Sequence, residues 1–120
     1  MANETNSTTA PESSSQKLWE ILVPTVRNPN EDGEISPYRT RYHRVWDQKV
    51  KAIAGGLTVL TPVRGTWVSD EDETFHERMI PVRIMCTEEE ILEIAHMTKS
   101  YYDQLAVMVY MISADVRIID

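Results

Sequence analysis

The chain has 120 residues and 13.8 kDa, with 19 acidic and 12 basic side chains and a formal charge of -7. Its 42% hydrophobic content suits one folded domain and excludes disorder along the whole length. No run approaches the ~18 apolar residues of a spanning helix, so no membrane segment is expected. The acidic balance excludes a general nucleic-acid binder, which needs a basic surface to displace phosphate counterions.

Residues 1–16 are mostly Asn, Ser, Thr, Glu and Pro and read as a disordered tail. They have neither the basic start nor the apolar centre of a signal peptide. A single α+β domain is expected over 17–120. Leu18-Trp19-Glu20-Ile21-Leu22-Val23 predicts a first strand over 17–23. Asn28 to Gly33 is a loop by composition. Ser36-Pro37 reads as a helix start, with Ser as cap and Pro in the first turn. Tyr42, Val45, Trp46, Val50 and Ile53 then recur on one helical face. Gly55-Gly56 ends that helix.

Leu57–Thr61 and Thr66–Val68 read as strands, with Pro62 and Arg64-Gly65 suggesting a bulge or turn between them. Asp70–Glu73 is a solvated acidic loop. His76–Cys86 reads as another strand, and Pro81 places it at an edge or a bulge. Thr87-Glu88-Glu89-Glu90 is a capping box. The helix it opens carries Ile91, Ile94, Ala95, Thr98, Tyr101, Tyr102 and Leu105 on one face. Val107–Ile112 turns to strand character, and Val116–Ile119 reads as a short terminal strand. The order is β-α-β-β-α-β with an extra C-terminal strand, a ferredoxin-like α+β fold with both helices on one face of an antiparallel sheet. The other face needs a cover, so a homodimer or larger assembly is expected.

The lone Cys86 sits in an apolar run and reads as a buried, reduced thiol, consistent with a cytoplasmic protein. No Walker loop, dinucleotide fingerprint, nucleophile elbow or zinc motif is present. His43, His76 and His96 share no ligand spacing, so neither metal nor cofactor is expected. Asp70–Glu73 lacks the alternation and glycine of a calcium loop. The sharpest local departure is 39–51, which holds five bases and one acid in an acidic chain. Arg41, Arg44, Arg64 and Arg83 are the candidates for contact with an anion. Tyr42, His43, Trp67 and Tyr102 are the candidates for stacking against it. A solvated helix face and ordinary core packing account for the same residues without a ligand. A general-base enzyme would use His43 or His76 with Asp47 or Glu77, but no spacing supports that set.

The segments RYHRVWDQKV, GGLTVL, GTW, ERMIPVRI and YYDQLAVM resemble small phage-type and prophage-associated proteins. That resemblance implies a mobile-element origin and, by context, a host cytoplasm and a host-protein partner, but no activity. The reading is a non-catalytic binding protein for a small anion such as a nucleotide, or for a host protein. A cofactor-free enzyme and a purely structural subunit are the alternatives.

Overall fold

The computed structural model describes residues 15–120. The expected tail, 1–16, therefore lies almost wholly outside the described residues. Seven elements follow in order: β1 (Lys17–Pro24), α1 (Thr40–Ala54), β2 (Thr58–Val59), β3 (Val63–Val68), β4 (Thr74–Cys86), α2 (Glu88–Tyr101) and β5 (Val109–Ser113). The sheet is antiparallel, ordered β2-β4-β1-β5, with β3 also paired to β4. This is the ferredoxin-like α+β arrangement that the sequence implies.

Side chains alternate across a sheet, so each strand has one side toward the helices. Ile21 and Val23 of β1 join Val82, Ile84 and Cys86 of β4 there, with Trp19 packed beside them. Trp46 and Val50 of α1 and Ile91 and Ile94 of α2 close the core from above. The other side of the sheet carries no element of this chain among the described residues. Burial pushes the Cys86 thiol up to about 12, so it stays a thiol inside the core.

Helix ends follow local chemistry. Thr87 accepts from the Glu90 amide at 3.1 Å, and Glu90 accepts from the Thr87 amide at 2.9 Å. Three acids in that first turn suit the positive helix end. At the end of α1, Gly55 adopts φ 89° and returns its amide to Lys51. A β-carbon on Gly55 would meet no atom within 4 Å, so its only penalty is conformational. Gly55→Ala is expected to lower unfolding free energy by about 1–2 kcal/mol in urea denaturation. A loss near zero would show that the left-handed cap is not required.

Three expectations are corrected. First, α1 begins at Thr40, not at Ser36-Pro37. Pro37 instead bridges Val26, and the Tyr38 amide donates to Thr25 at 3.0 Å. Those contacts hold 36–38 extended so that Tyr38 can be buried.

Second, Pro81 lies inside the central strand, not at an edge. Its partner on β1 is Leu22, whose amide points away to Met108. Pro81 therefore presents its missing N–H to the other neighbour, which is broken between β2 and β3. Three residues separate Val59 from Val63, whereas two separate their partners Met79 and Val82. The extra residue, in the segment holding Pro62, is a bulge beside the proline. The Leu60 amide still reaches the Pro81 carbonyl at 2.9 Å.

Third, Val116–Ile119 pairs with no strand among the described residues, and Ile119 is 88% exposed. Leu105 likewise lies beyond α2 and points into solvent.

Candidate functional site

The side of the sheet away from the helices is assembled from alternate residues of three strands. Leu18, Glu20 and Leu22 come from β1, and Met79, Pro81, Arg83 and Met85 from β4. Tyr110 comes from β5, with Met108 just before it. Most are apolar, as strand propensity in a half-covered sheet favours. Glu20 is the exception and is only 7% exposed. The register sets Arg83 and Tyr110 on either side of it. Arg83 Nε donates to Glu20 Oε1 at 2.9 Å, and the Tyr110 hydroxyl donates to Oε2.

Burial alone would push the Glu20 carboxyl up. The Tyr110 hydrogen bond and the Arg83 guanidinium outweigh it and hold the group below the usual carboxylate range. The same bond raises Tyr110, because ionising its hydroxyl would remove the donor. Arg83 is therefore committed to Glu20 rather than free for an external anion, although its side chain remains 43% exposed.

A second polar cluster sits where the two helices meet. Tyr42 stacks on Tyr101 with centroids 4.2 Å apart and on Tyr38 at 5.0 Å. Both faces of the Tyr42 ring are thus occupied. The Tyr42 hydroxyl donates to the Tyr101 carbonyl, and the Tyr101 hydroxyl to that of Tyr42. The Arg27 guanidinium lies 4.6 Å from the Tyr38 ring centre.

Tyr102 is fully buried, and its hydroxyl oxygen lies 2.7 Å from His43 Nδ1. Burial raises the Tyr102 hydroxyl far above its ordinary value and lowers His43, against the pull of Asp47. The Tyr102 hydroxyl and His43 Nδ1 thus form one buried hydrogen bond between two groups whose charging burial disfavours. Burial also raises Asp47, opposed by His43 and Lys51. His43 and Asp47 line one edge of a cleft of about 100 Å³ with Val23, Trp46, Val59, Ile80 and Val82. The stacking role expected for Tyr42 and Tyr102 is corrected: their rings pack on each other and on the core. His43 Nδ1 is likewise tied to the buried Tyr102 hydroxyl.

The expected arginines are not gathered in one place. Arg41 and Arg44 are exposed on α1, Arg64 is exposed on β3, and Arg83 lies on the open sheet side. An open groove of about 380 Å³ brings Arg83 beside Leu18, Met85 and the Gly55-Gly56 turn. Trp67 is on the ribbon formed by β3 and β4. It stacks on Phe75 at 4.6 Å and donates to Glu77 at 2.6 Å. Trp67 is 47% exposed, so one ring face remains open. The same ribbon side continues through Gly65 and Val63 onto Met79.

Sequence reasoning missed Glu20, Tyr110 and Arg78. An acid inside the run LWEILV was the available signal for Glu20, since such a group is either solvated or paired. Arg78 becomes visible only through the register that sets it opposite Arg64. Among the described residues, no three His, Cys, Asp or Glu side chains converge as a metal site. No described helix is long and apolar enough to cross a membrane.

No protein-family model matches the chain, and no curated protein matches it. Solved structures do match. CutA1 from Oryza sativa superposes with a TM-score of 0.59 at 8% identity, covering 88% of this chain and 86% of that one. The divalent cation tolerance protein (Cut A1) of Thermus thermophilus gives 0.56 at 9% identity, covering 81% and 82%. The periplasmic divalent cation tolerance protein CutA of Archaeoglobus fulgidus gives 0.56 at 9% identity, covering 81% of each chain. At such identities the likeness establishes the fold. It also corrects the phage-type resemblance, because the neighbours come from plant, bacterial and archaeal proteins.

Proposed function

We propose that this chain is a non-catalytic binding protein that works as a symmetric homo-oligomer and takes a small anionic ligand. The fold it shares with the CutA proteins is the premise. The observation that carries the reading is the uncovered side of the sheet. Leu18, Leu22, Met85 and Met108 surround the Glu20–Arg83–Tyr110 cluster there, while both helices occupy the opposite side.

A second copy is the occupant that the surface fits. β1, β2, β5 and the 79–86 half of β4 present roughly 360 Å² in projection, using ~3.3 Å per residue and ~4.8 Å between strands. The apolar side of the β3–β4 ribbon continues that surface through Met79, Val63 and the Trp67–Phe75 stack. It adds roughly 200 Å², so the two together make up about two-thirds of the ~800 Å² per partner of a standard interface. The free edge of β5 borders it.

The anionic ligand is supported by exposed arginines in an acidic chain, Arg41, Arg44 and Arg64 among them. A cytoplasmic setting suits the single buried thiol.

Native mass spectrometry and light scattering test the assembly. The expected mass is a whole multiple, at least two, of 13.8 kDa. Met108→Asp, at a position 62% exposed in the single chain, should yield folded monomer. A wild-type monomer at micromolar concentration would overturn the reading.

A further inference from the structure

The ribbon of β3 and β4 has a second side, and it is basic. The register sets Arg64 directly opposite Arg78 and Thr66 directly opposite His76. Residues two apart on a strand share a side, so these four form one patch. All four are exposed. Thr66 Oγ1 and His76 Nδ1 lie 3.2 Å apart, which fixes the imidazole beside the arginines. Among the described residues the ion pairs are Arg83–Glu20 and Arg117–Asp115, so neither Arg64 nor Arg78 has a carboxylate partner there.

Like charges directly opposite across a ladder repel. The chain has 19 acids against 12 bases, yet none among the described residues is set against this pair. Of the hairpin's own acids, Asp70–Glu73 are at its tip, roughly 20 Å along the strand from Arg64 at ~3.3 Å per residue, and Glu77 lies on the opposite side, where it accepts from Trp67. The backbone beneath the patch is anchored. Thr25 Oγ1 donates to the Arg78 carbonyl at 2.8 Å, and the Tyr38 amide donates to the Thr25 carbonyl at 3.0 Å. That chain of contacts brings the start of α1 to the same corner, and its first turn holds no acid.

Two guanidinium forks on neighbouring strands, ~5 Å apart at the backbone, match a group with two adjacent anionic centres. A monocarboxylate would satisfy only one fork. We infer that Arg64 and Arg78, with Thr66 and His76 beside them, form a binding patch for a small molecule that carries two adjacent phosphates. The diphosphate of a nucleotide is such a group, and Trp67 lies on the opposite side of the same ribbon, out of reach of its base. The patch rests on the anionic-ligand reading above and gives that ligand a location.

Calorimetric titration of the full chain with inorganic pyrophosphate tests it. Pyrophosphate is expected to bind, more weakly as salt rises. Arg64→Ala and Arg78→Ala should each weaken binding about ten-fold, and the double variant should abolish it. The Arg41→Ala, Arg44→Ala pair is measured beside them, and Arg117→Ala, whose guanidinium pairs with Asp115, should leave binding unchanged. Without ligand, Arg64→Ala and Arg78→Ala should melt no lower than wild type, because each relieves a like-charge contact. Their loss of binding is then separate from loss of fold.

If pyrophosphate binds but the loss follows Arg41 and Arg44, the anion reading stands and this patch is overturned. If poly-glutamate binds at the patch and pyrophosphate does not, the ligand is an acidic polypeptide and the inference is overturned. If neither pyrophosphate, phosphate nor ADP binds the assembled protein, the inference and the anion reading fall together.

Discussion

Trp46→Ala is expected to lower unfolding free energy by about 3–5 kcal/mol, the range for deleting a buried indole. Trp46 is 1% exposed and joins α1 to α2. Its Nε1 donates to Thr98 Oγ1 at 2.9 Å, and the Thr98 hydroxyl in turn donates to the Ile94 carbonyl at 2.6 Å. The substitution therefore opens a cavity and removes the donor to a fully buried hydroxyl. A domain of this size has about 5–15 kcal/mol in total, so a fifth or more of its stability is at stake. Trp46→Phe separates the two effects. It keeps most of the ring volume and loses the hydrogen bond, at about 1–2 kcal/mol. Urea denaturation followed by circular dichroism reads both. If the alanine variant lost less than the phenylalanine variant, this account of the helix interface would fail.

The second large effect is expected at Arg83→Met, and it should depend on pH. The variant keeps an apolar stem across the sheet but leaves the Glu20 carboxylate with Tyr110 alone. Stranding a buried charge costs about 3 kcal/mol or more, reduced here because the site borders solvent on the Arg83 side. In the wild type, the folded carboxyl lies below its unfolded value of 4.5. Ionised Glu20 then contributes stability that is fully present above pH 4.5 and is lost as pH falls through the folded value. In the variant, burial is no longer outweighed by Arg83, so the folded value moves up. Stability is then lost as pH rises through the unfolded value. The gap between the two proteins should be small near pH 3 and full by pH 7. A gap that stays constant across that range would mean that Glu20 does not titrate between these states.

What the sequence made legible were features decided within a few residues. The capping box at Thr87–Glu90 and the glycine stop at Gly55 need only local chemistry, and both appear where expected. The apolar, partly β-branched run in 17–23 likewise identified β1. The start of α1 failed because Ser36-Pro37 has a good local signal that a distant contact overrides. Tyr38 must lie extended to donate its hydroxyl to the Tyr102 carbonyl at 2.7 Å.

The candidate site was less readable for the same reason. Tyr42 and Tyr102 have the chemistry of a stacking platform, but the fold pairs them with Tyr38 and Tyr101. Glu20 owes its burial to partners 63 and 90 residues away. Only the register, which no local pattern encodes, shows that Arg64 faces Arg78 instead of an acid.

The sheet also joins pairings of very different reach. Arg83 meets Glu20 across a separation of 63 residues, whereas His76 meets Thr66 across 10. Loop-closure entropy makes the longer connection about 1.6 kcal/mol harder to close than the shorter. The long pairing recovers that loss because its strands bury Ile21, Val23, Val82 and Ile84 on the helix side. The ribbon recovers little, since nearly all of its side chains remain in solvent. The entropically easiest pairing in the molecule is thus also the one least secured by burial, and its persistence in solution is where a missing partner would be felt first.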